Sequence, residues 1–215
     1  MKHVLIFICC IVVGFVGTYL LIAQKTTKDI VKPTSQKSVS NSSRFSLEKA
    51  PSLSLHGDIT SLSGTVKWQS RTATESSVIS SPQLIQQGEI IETDEDGKVS
   101  VAFPDMLISL SPSTSLEIVQ SLPSDVILEQ KEGEIAYSNS SSSPLEIRVS
   151  PLLVQSNKNN FIITKDINTG TITVKVLSGT VKAAFNDDEN VTTVETIPEK
   201  KTFIFDTETR TSRIK

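Results

Sequence analysis

The sequence predicts an all-β fold: a sandwich or roll of short antiparallel strands, preceded by a single N-terminal transmembrane helix. Three observations predict it. From Ala50 onward, short runs rich in Val, Ile, Thr and Leu alternate apolar with polar residues, which is the two-residue period of a half-buried strand. Gly, Asn, Asp, Ser and Pro interrupt these runs at close spacing, as antiparallel connections require. No segment beyond Ala23 sustains the 3.6-residue period of an amphipathic helix.

The one helical element expected is the apolar run Val4 to Ala23, which carries no charge. At about 1.5 Å per residue it spans about 30 Å, one bilayer core. It is longer than the ~7–15 residues of a signal-peptide core, and its exit, Leu21-Ile22-Ala23-Gln24, lacks a small-x-small cleavage pattern. Residues 1–24 therefore read as an uncleaved membrane anchor. Cys9 and Cys10 lie deep in the run and read as packing thiols. Cys10, Gly14 and Thr18 have small-xxx-small spacing, which could seat a second copy in a helix-mediated homodimer. Only Lys2 precedes the run, whereas Lys25, Lys28, Lys32 and Lys37 follow it. By the positive-inside rule this count favours a cytoplasmic C-terminus.

Residues 25–51 are rich in Ser, Thr and Lys and poor in apolar residues. They read as a flexible linker with a reach of about 25–30 Å. Residues 52–215 are the expected β domain. Its candidate strands are Ile59–Leu62, Gly64–Gln69, Glu89–Thr93, Lys98–Phe103, Leu107–Leu110, Leu116–Val119, Val126–Gln130, Glu134–Ser138 and Leu145–Val149. The last third adds Phe161–Thr164, Thr171–Leu177, Thr180–Phe185, Val191–Glu195 and Lys201–Phe205. Val66 and Trp68 share a face, as do Val99, Val101 and Phe103. Val174, Val176, Val181, Ala183 and Phe185 are expected in the core. Asp94-Glu95-Asp96-Gly97 carries the Asp-Gly signal of a tight hairpin. The Ser-rich loop Ser138–Ser143 is expected to be exposed. No linker-like composition divides the domain, so one continuous body is expected.

Net charge is −3 and pI about 5.5. With no basic block and few aromatic residues, nucleic acid is not an expected partner. Both cysteines fall in the apolar run, so the β domain has neither a disulfide nor a thiolate metal site. The two histidines, His3 and His56, lack the partners of a zinc site or a catalytic triad. Asp94, Asp96 and Asp105, and separately Asp187, Asp188 and Glu189, lack calcium-loop spacing and read as solvated turns. Glu132 and Glu134 flank Gly133 and read as capping an exposed turn rather than as an acid/base pair. The sequence assigns no catalytic, cofactor-binding or metal-binding residue. A non-enzymatic protein is expected; an enzyme would have to use carboxylates such as Asp105 and Glu134.

The order of several short motifs resembles the FecR-type domain over Gly64 to Lys182. The opening Gly-x-Val strand is Gly64-Thr65-Val66. Leu84 and Gly88 precede the step Ile91-Glu92-Thr93. The turn and strand that follow are Asp96-Gly97 and Lys98–Phe103. Ile108-Ser109-Leu110, the Ser/Pro/Thr turn at 111–115 and Leu116-Glu117-Ile118 match the next signature. Val126-Ile127-Leu128 leads to Gly133-Glu134-Ile135. Leu177-Ser178-Gly179-Thr180-Val181 matches the closing motif. One block departs: where the family carries Gly-Thr-x-Phe, this chain has Ser156-Asn157-Lys158-Asn159-Asn160-Phe161, which keeps only the Phe. The resemblance implies an extracytoplasmic, non-enzymatic β domain that relays signals across a membrane. Family regulators act on sigma factors through a cytoplasmic N-terminal domain. Only Met1, Lys2 and His3 precede the run here, so that route is not expected. The expectation is a membrane-tethered binding or scaffold module for an envelope protein or a cell-surface polysaccharide. The alternative is a signalling subunit acting through its helix. On orientation, the resemblance implies an exterior C-terminal domain, against the lysine count.

Overall fold

The computed structural model describes residues 53–215. The expected anchor, its cysteines and the linker lie outside the described residues. Among those described there is no helix, and so none long and apolar enough to cross a membrane. The fold is all-β. Its strands are β1 (Gly57–Ser63), β2 (Val66–Gln69), β3 (Ser77–Val78), β4 (Leu84–Ile85), β5 (Ile90–Thr93) and β6 (Lys98–Phe103). β7 (Met106–Leu110), β8 (Thr114–Leu122), β9 (Asp125–Asn139), β10 (Leu145–Val149), β11 (Leu152–Ser156) and β12 (Asn160–Asp166) follow. β13 (Thr171–Ser178), β14 (Thr180–Asn186), β15 (Thr192–Pro198), β16 (Thr202–Asp206) and β17 (Thr211–Ile214) complete the chain.

One strand organises the rest. β9 is 15 residues long, and a straight strand of that length would span about 50 Å at ~3.3 Å per residue. Instead it turns a corner at Gly133, where φ is +82°. A Cβ there would collide with the Ser113 carbonyl and the Thr114 side chain, so the corner requires glycine. The first half of β9 lies between β8 and β10, and the second half between β7 and β12. Two sheets result. One runs β4-β1-β6-β7-β9-β12-β13-β16-β17. The other runs β3-β2-β5-β8-β9-β10-β11-β14-β15. Every pairing is antiparallel except β9 with β10.

Alternate residues of both sheets enter one apolar core. Val99, Val101, Ile108, Ile135, Phe161 and Val174 come from the first sheet; Ile91, Leu116, Leu128, Ile147, Val154 and Val181 come from the second. Each such side chain contributes about 1.5–3 kcal/mol by leaving water. The sheets touch directly: the Phe185 ring of β14 lies 4.7 Å from that of Phe205 on β16. Val174, Val176, Val181, Ala183 and Phe185 are all buried, as their alternation predicts. Strands from β12 onward extend the same two sheets.

Three expectations are corrected. The Asp94–Gly97 turn does not close a hairpin: β5 pairs with β2 and β8, while β6 pairs with β1 and β7. The turn arches from one sheet to the other. It is stacked on the β1–β2 corner through Asp94 N–H to the Thr65 carbonyl (3.0 Å) and Thr65 N–H to Asp96 Oδ1 (3.1 Å). The Ser113 N–H continues this stack onto the Asp94 carbonyl at 3.1 Å. Second, Glu132 and Glu134 flank a corner inside a strand, not a turn between two strands. Third, β3, β4, β11 and β17 lie outside the expected set of strands.

Candidate functional site

The arches β1–β2, β5–β6 and β7–β8 gather with the Gly133 corner at one end of the two sheets, whereas the crossings β11–β12 and β13–β14 lie at the opposite end, which β6, β7, β8 and β9 also reach. Three proline-bearing connections meet there, beside the β11–β12 crossing, whose Asn159 carbonyl accepts from the Asn139 N–H at 2.9 Å. Phe103-Pro104-Asp105-Met106 turns tightly between β6 and β7, with Phe103 paired to Met106. Leu122-Pro123-Ser124-Asp125 does the same between β8 and β9. In both, proline fixes φ at the first turn position. The third connection is the Ser-rich stretch between β9 and β10.

The serines stitch the three together. Ser140 donates from its N–H and its Oγ to the Asp105 carbonyl, each at 2.9 Å. Ser143 Oγ donates to the Pro123 carbonyl at 3.2 Å. Ser141 N–H donates to Asn139 Oδ1 at 2.9 Å, and Ser143 N–H to Ser141 Oγ at 3.0 Å. The loop is therefore not the simple exposed excursion that its composition predicts: Asn139 is buried, and Ser141 and Ser143 are half-buried.

A cavity of about 190 Å³ lies among these connections. Phe103, Met106, Val126 and Leu145 form its apolar floor, and Pro104, Pro123 and Pro144 stand at its rim. Both ends of the bent β9, Val126 and Asn139, line it. The chain enters past it: Leu55 lines the cavity while Ser121 Oγ donates to the Leu55 carbonyl at 2.8 Å. Asp105 is exposed at the rim. The space suits one large apolar side chain; drug-sized ligands and cofactors occupy about 300–1,000 Å³. Sequence reasoning missed this site. The signal was the proline carried by each of the three connections.

Apart from Asp105 at the cavity rim, the candidate residues of the sequence fall elsewhere. Asp94 pairs with Lys67 at 2.7 Å, and that hydrogen bond above all holds the Lys67 amine above its ordinary value. Asp96 holds Thr65, and Asp187 accepts the N–H groups of Glu189 and Val191 within its own turn. Glu134 accepts from the hydroxyls of Ser111 and Thr164. Asp105 adjoins the Met106–Asn139 end of the β7–β9 ladder and Glu134 adjoins its Leu110–Ile135 end, more than about 13 Å apart at strand spacing. These two carboxylates do not form a pair. His56 is exposed. Among the described residues, no three His, Cys, Asp or Glu side chains are grouped to hold a metal.

No family model and no curated protein matches the chain. Its fold is similar to that of a "putative anti-sigma factor" from Parabacteroides distasonis, seen in two crystal structures at 1.65 and 2.50 Å resolution. Each aligns with a TM-score of 0.52 at 16% sequence identity, over 59% of this chain and 58% of the other. The likeness is one of fold.

Proposed function

We propose that residues 53–215 are a binding module of the FecR type, carried outside the cytoplasm on an N-terminal membrane anchor, and that it acts without catalysis. The observation that carries this reading is the apolar cavity between the three proline-bearing turns. Its floor is already built from core residues, so an incoming apolar side chain gains burial without ordering the site. The fold shared with a protein named as an anti-sigma factor supports a regulatory setting. One backbone feature supports the FecR resemblance: Lys158, three residues before Phe161 as the glycine stands in Gly-Thr-x-Phe, has φ +53°, the left-handed conformation glycine usually serves.

Between the two classes of partner, the cavity favours a protein over a polysaccharide. Sugar sites commonly present an exposed aromatic face. Here Phe103 is buried, and Trp68 is half-buried elsewhere, with its indole N–H donated to Glu89 at 3.0 Å. A peptide with one large apolar side chain fits the volume, and a neighbouring cationic residue fits Asp105.

Photo-crosslinking of the full chain in intact cells tests the reading, with the reactive group at Ser141. A discrete protein adduct is expected, lost when Leu55→Trp fills the rim. Adducts no different from those formed at Leu107, on the outer face of β7, would remove the cavity as the binding site. Protease access to a tag after Lys215 checks the orientation separately: protection until lysis would place the domain in the cytoplasm.

A further inference from the structure

The two ends of the sheets along the strand order are built differently. At the β3/β4 end the edge strands are two residues long, which leaves almost no free ladder. At the other end the second sheet stops at β15, seven residues long and paired only with β14. The Asp187 N–H donates to the Val191 carbonyl at 3.0 Å and Asn190 has φ +60°, so the ladder continues from this turn with the odd-numbered residues bonded to β14. The N–H and C=O groups of Thr192, Val194 and Thr196 then point away from β14, by the alternation of an antiparallel ladder. Pro198, with no N–H, falls in the same outward phase and breaks no bond to β14.

We infer that this edge pairs with the β15 edge of a second copy of the chain, antiparallel and centred on Val194. Three features make β15 self-complementary. Centring on Val194 sets Thr192 opposite the partner's Thr196, so both outward bonding sites are matched together with the Val194 pair. Val194 is 60% exposed and continues an outer-face row with Ala184 and Leu153, the latter 37% exposed. Pairing joins the two rows into one apolar stripe across the dyad. The turn before β15 holds Asp188 and Glu189, and the turn after it holds Lys200 and Lys201 beside Glu199. An antiparallel dyad brings the acidic turn of each copy beside the basic turn of the other. One strand per copy is a small interface, so the pair depends on local concentration.

Oxidative cross-linking of the full chain in cell membranes, in a Cys9→Ser, Cys10→Ser background, tests this. Val194→Cys is expected to give a disulfide-linked dimer, and Leu107→Cys is not. Thr192→Pro combined with Thr196→Pro removes two outward N–H groups, no backbone bond to β14 and one side-chain bond, Thr192 Oγ1 to Asn186 Oδ1 at 2.9 Å, and should abolish the dimer while the melting transition of the domain remains. Lys200→Glu with Lys201→Glu should weaken the dimer, and adding Asp188→Lys with Glu189→Lys should restore it. A Val194→Cys signal at the Leu107→Cys level, or one unchanged by the two prolines, would overturn the inference.

Discussion

Tyr137 Oη donates to Gln130 Oε1 at 3.1 Å, although both residues sit on β9. The contact exists because the strand folds back at Gly133 and puts its two halves on opposite walls of the core. Gln130 is fully buried and fully used: its Nε2 donates to the carbonyls of Gly133 (2.8 Å) and Ile163 (3.1 Å). Tyr137→Phe removes one donor and leaves the amide oxygen unpaired, which should cost about 1–2 kcal/mol. Gln130→Leu leaves the buried phenol without its partner and removes the side-chain bonds to two carbonyls that the β9–β12 ladder also engages, and should cost about 1–3 kcal/mol. In a double-mutant cycle by denaturant unfolding, the two changes should couple strongly rather than add.

Burial pushes the Tyr137 phenol well above its ordinary value of 10.0. The unfolded chain releases that proton near the ordinary value, while the folded protein holds it. Stability from this group is therefore full below about pH 10 and is lost as pH rises from there toward the folded value. Thermal melts above pH 10 should show a steeper loss for the native sequence than for Tyr137→Phe.

Gly133→Ala should be among the most damaging single changes outside the apolar core. It combines a left-handed φ with a collision against the Ser113–Thr114 backbone, and a loss above about 2 kcal/mol is expected. Gly170→Ala is the matched comparison, also at positive φ, where a Cβ meets only the Thr207 hydroxyl at 3.0 Å. It should cost less in the same denaturant titration.

Lys158→Gly should stabilise the domain. A lysine at φ +53° bears about 1–2 kcal/mol of left-handed strain. Glycine relieves it at an entropic cost of about 0.5–1 kcal/mol, so a net gain on the order of 0.5 kcal/mol is expected as a small rise in Tm.

Strand existence was legible wherever alternation was strong, because one face of every interior strand is buried. Lys98–Phe103 is read to the residue, since Val99, Val101 and Phe103 all enter the core. β17, Thr-Ser-Arg-Ile at an edge, buries almost nothing and leaves no such trace. The Asp-Gly turn was misread because local turn chemistry does not distinguish a hairpin from an arch; that depends on which sheet the next strand joins. The cavity was illegible for a related reason. Leu55, Met106, Val126 and Leu145 are far apart in sequence, and each alone looks like an ordinary core residue.

After its corner at Gly133, the chain adds hairpins to the two sheets in strict alternation: β10–β11, β12–β13, β14–β15, β16–β17. Each new hairpin docks on the last strand already laid down in its own sheet. The body behind the corner is thus assembled like a zipper closing from one end, and its length is set by how many such teeth the gene encodes. A truncation placed between hairpins shortens the zipper, whereas one placed within a hairpin leaves a half-tooth with nothing to close against. Domain trimming of this protein therefore has a natural unit, and it is the strand pair.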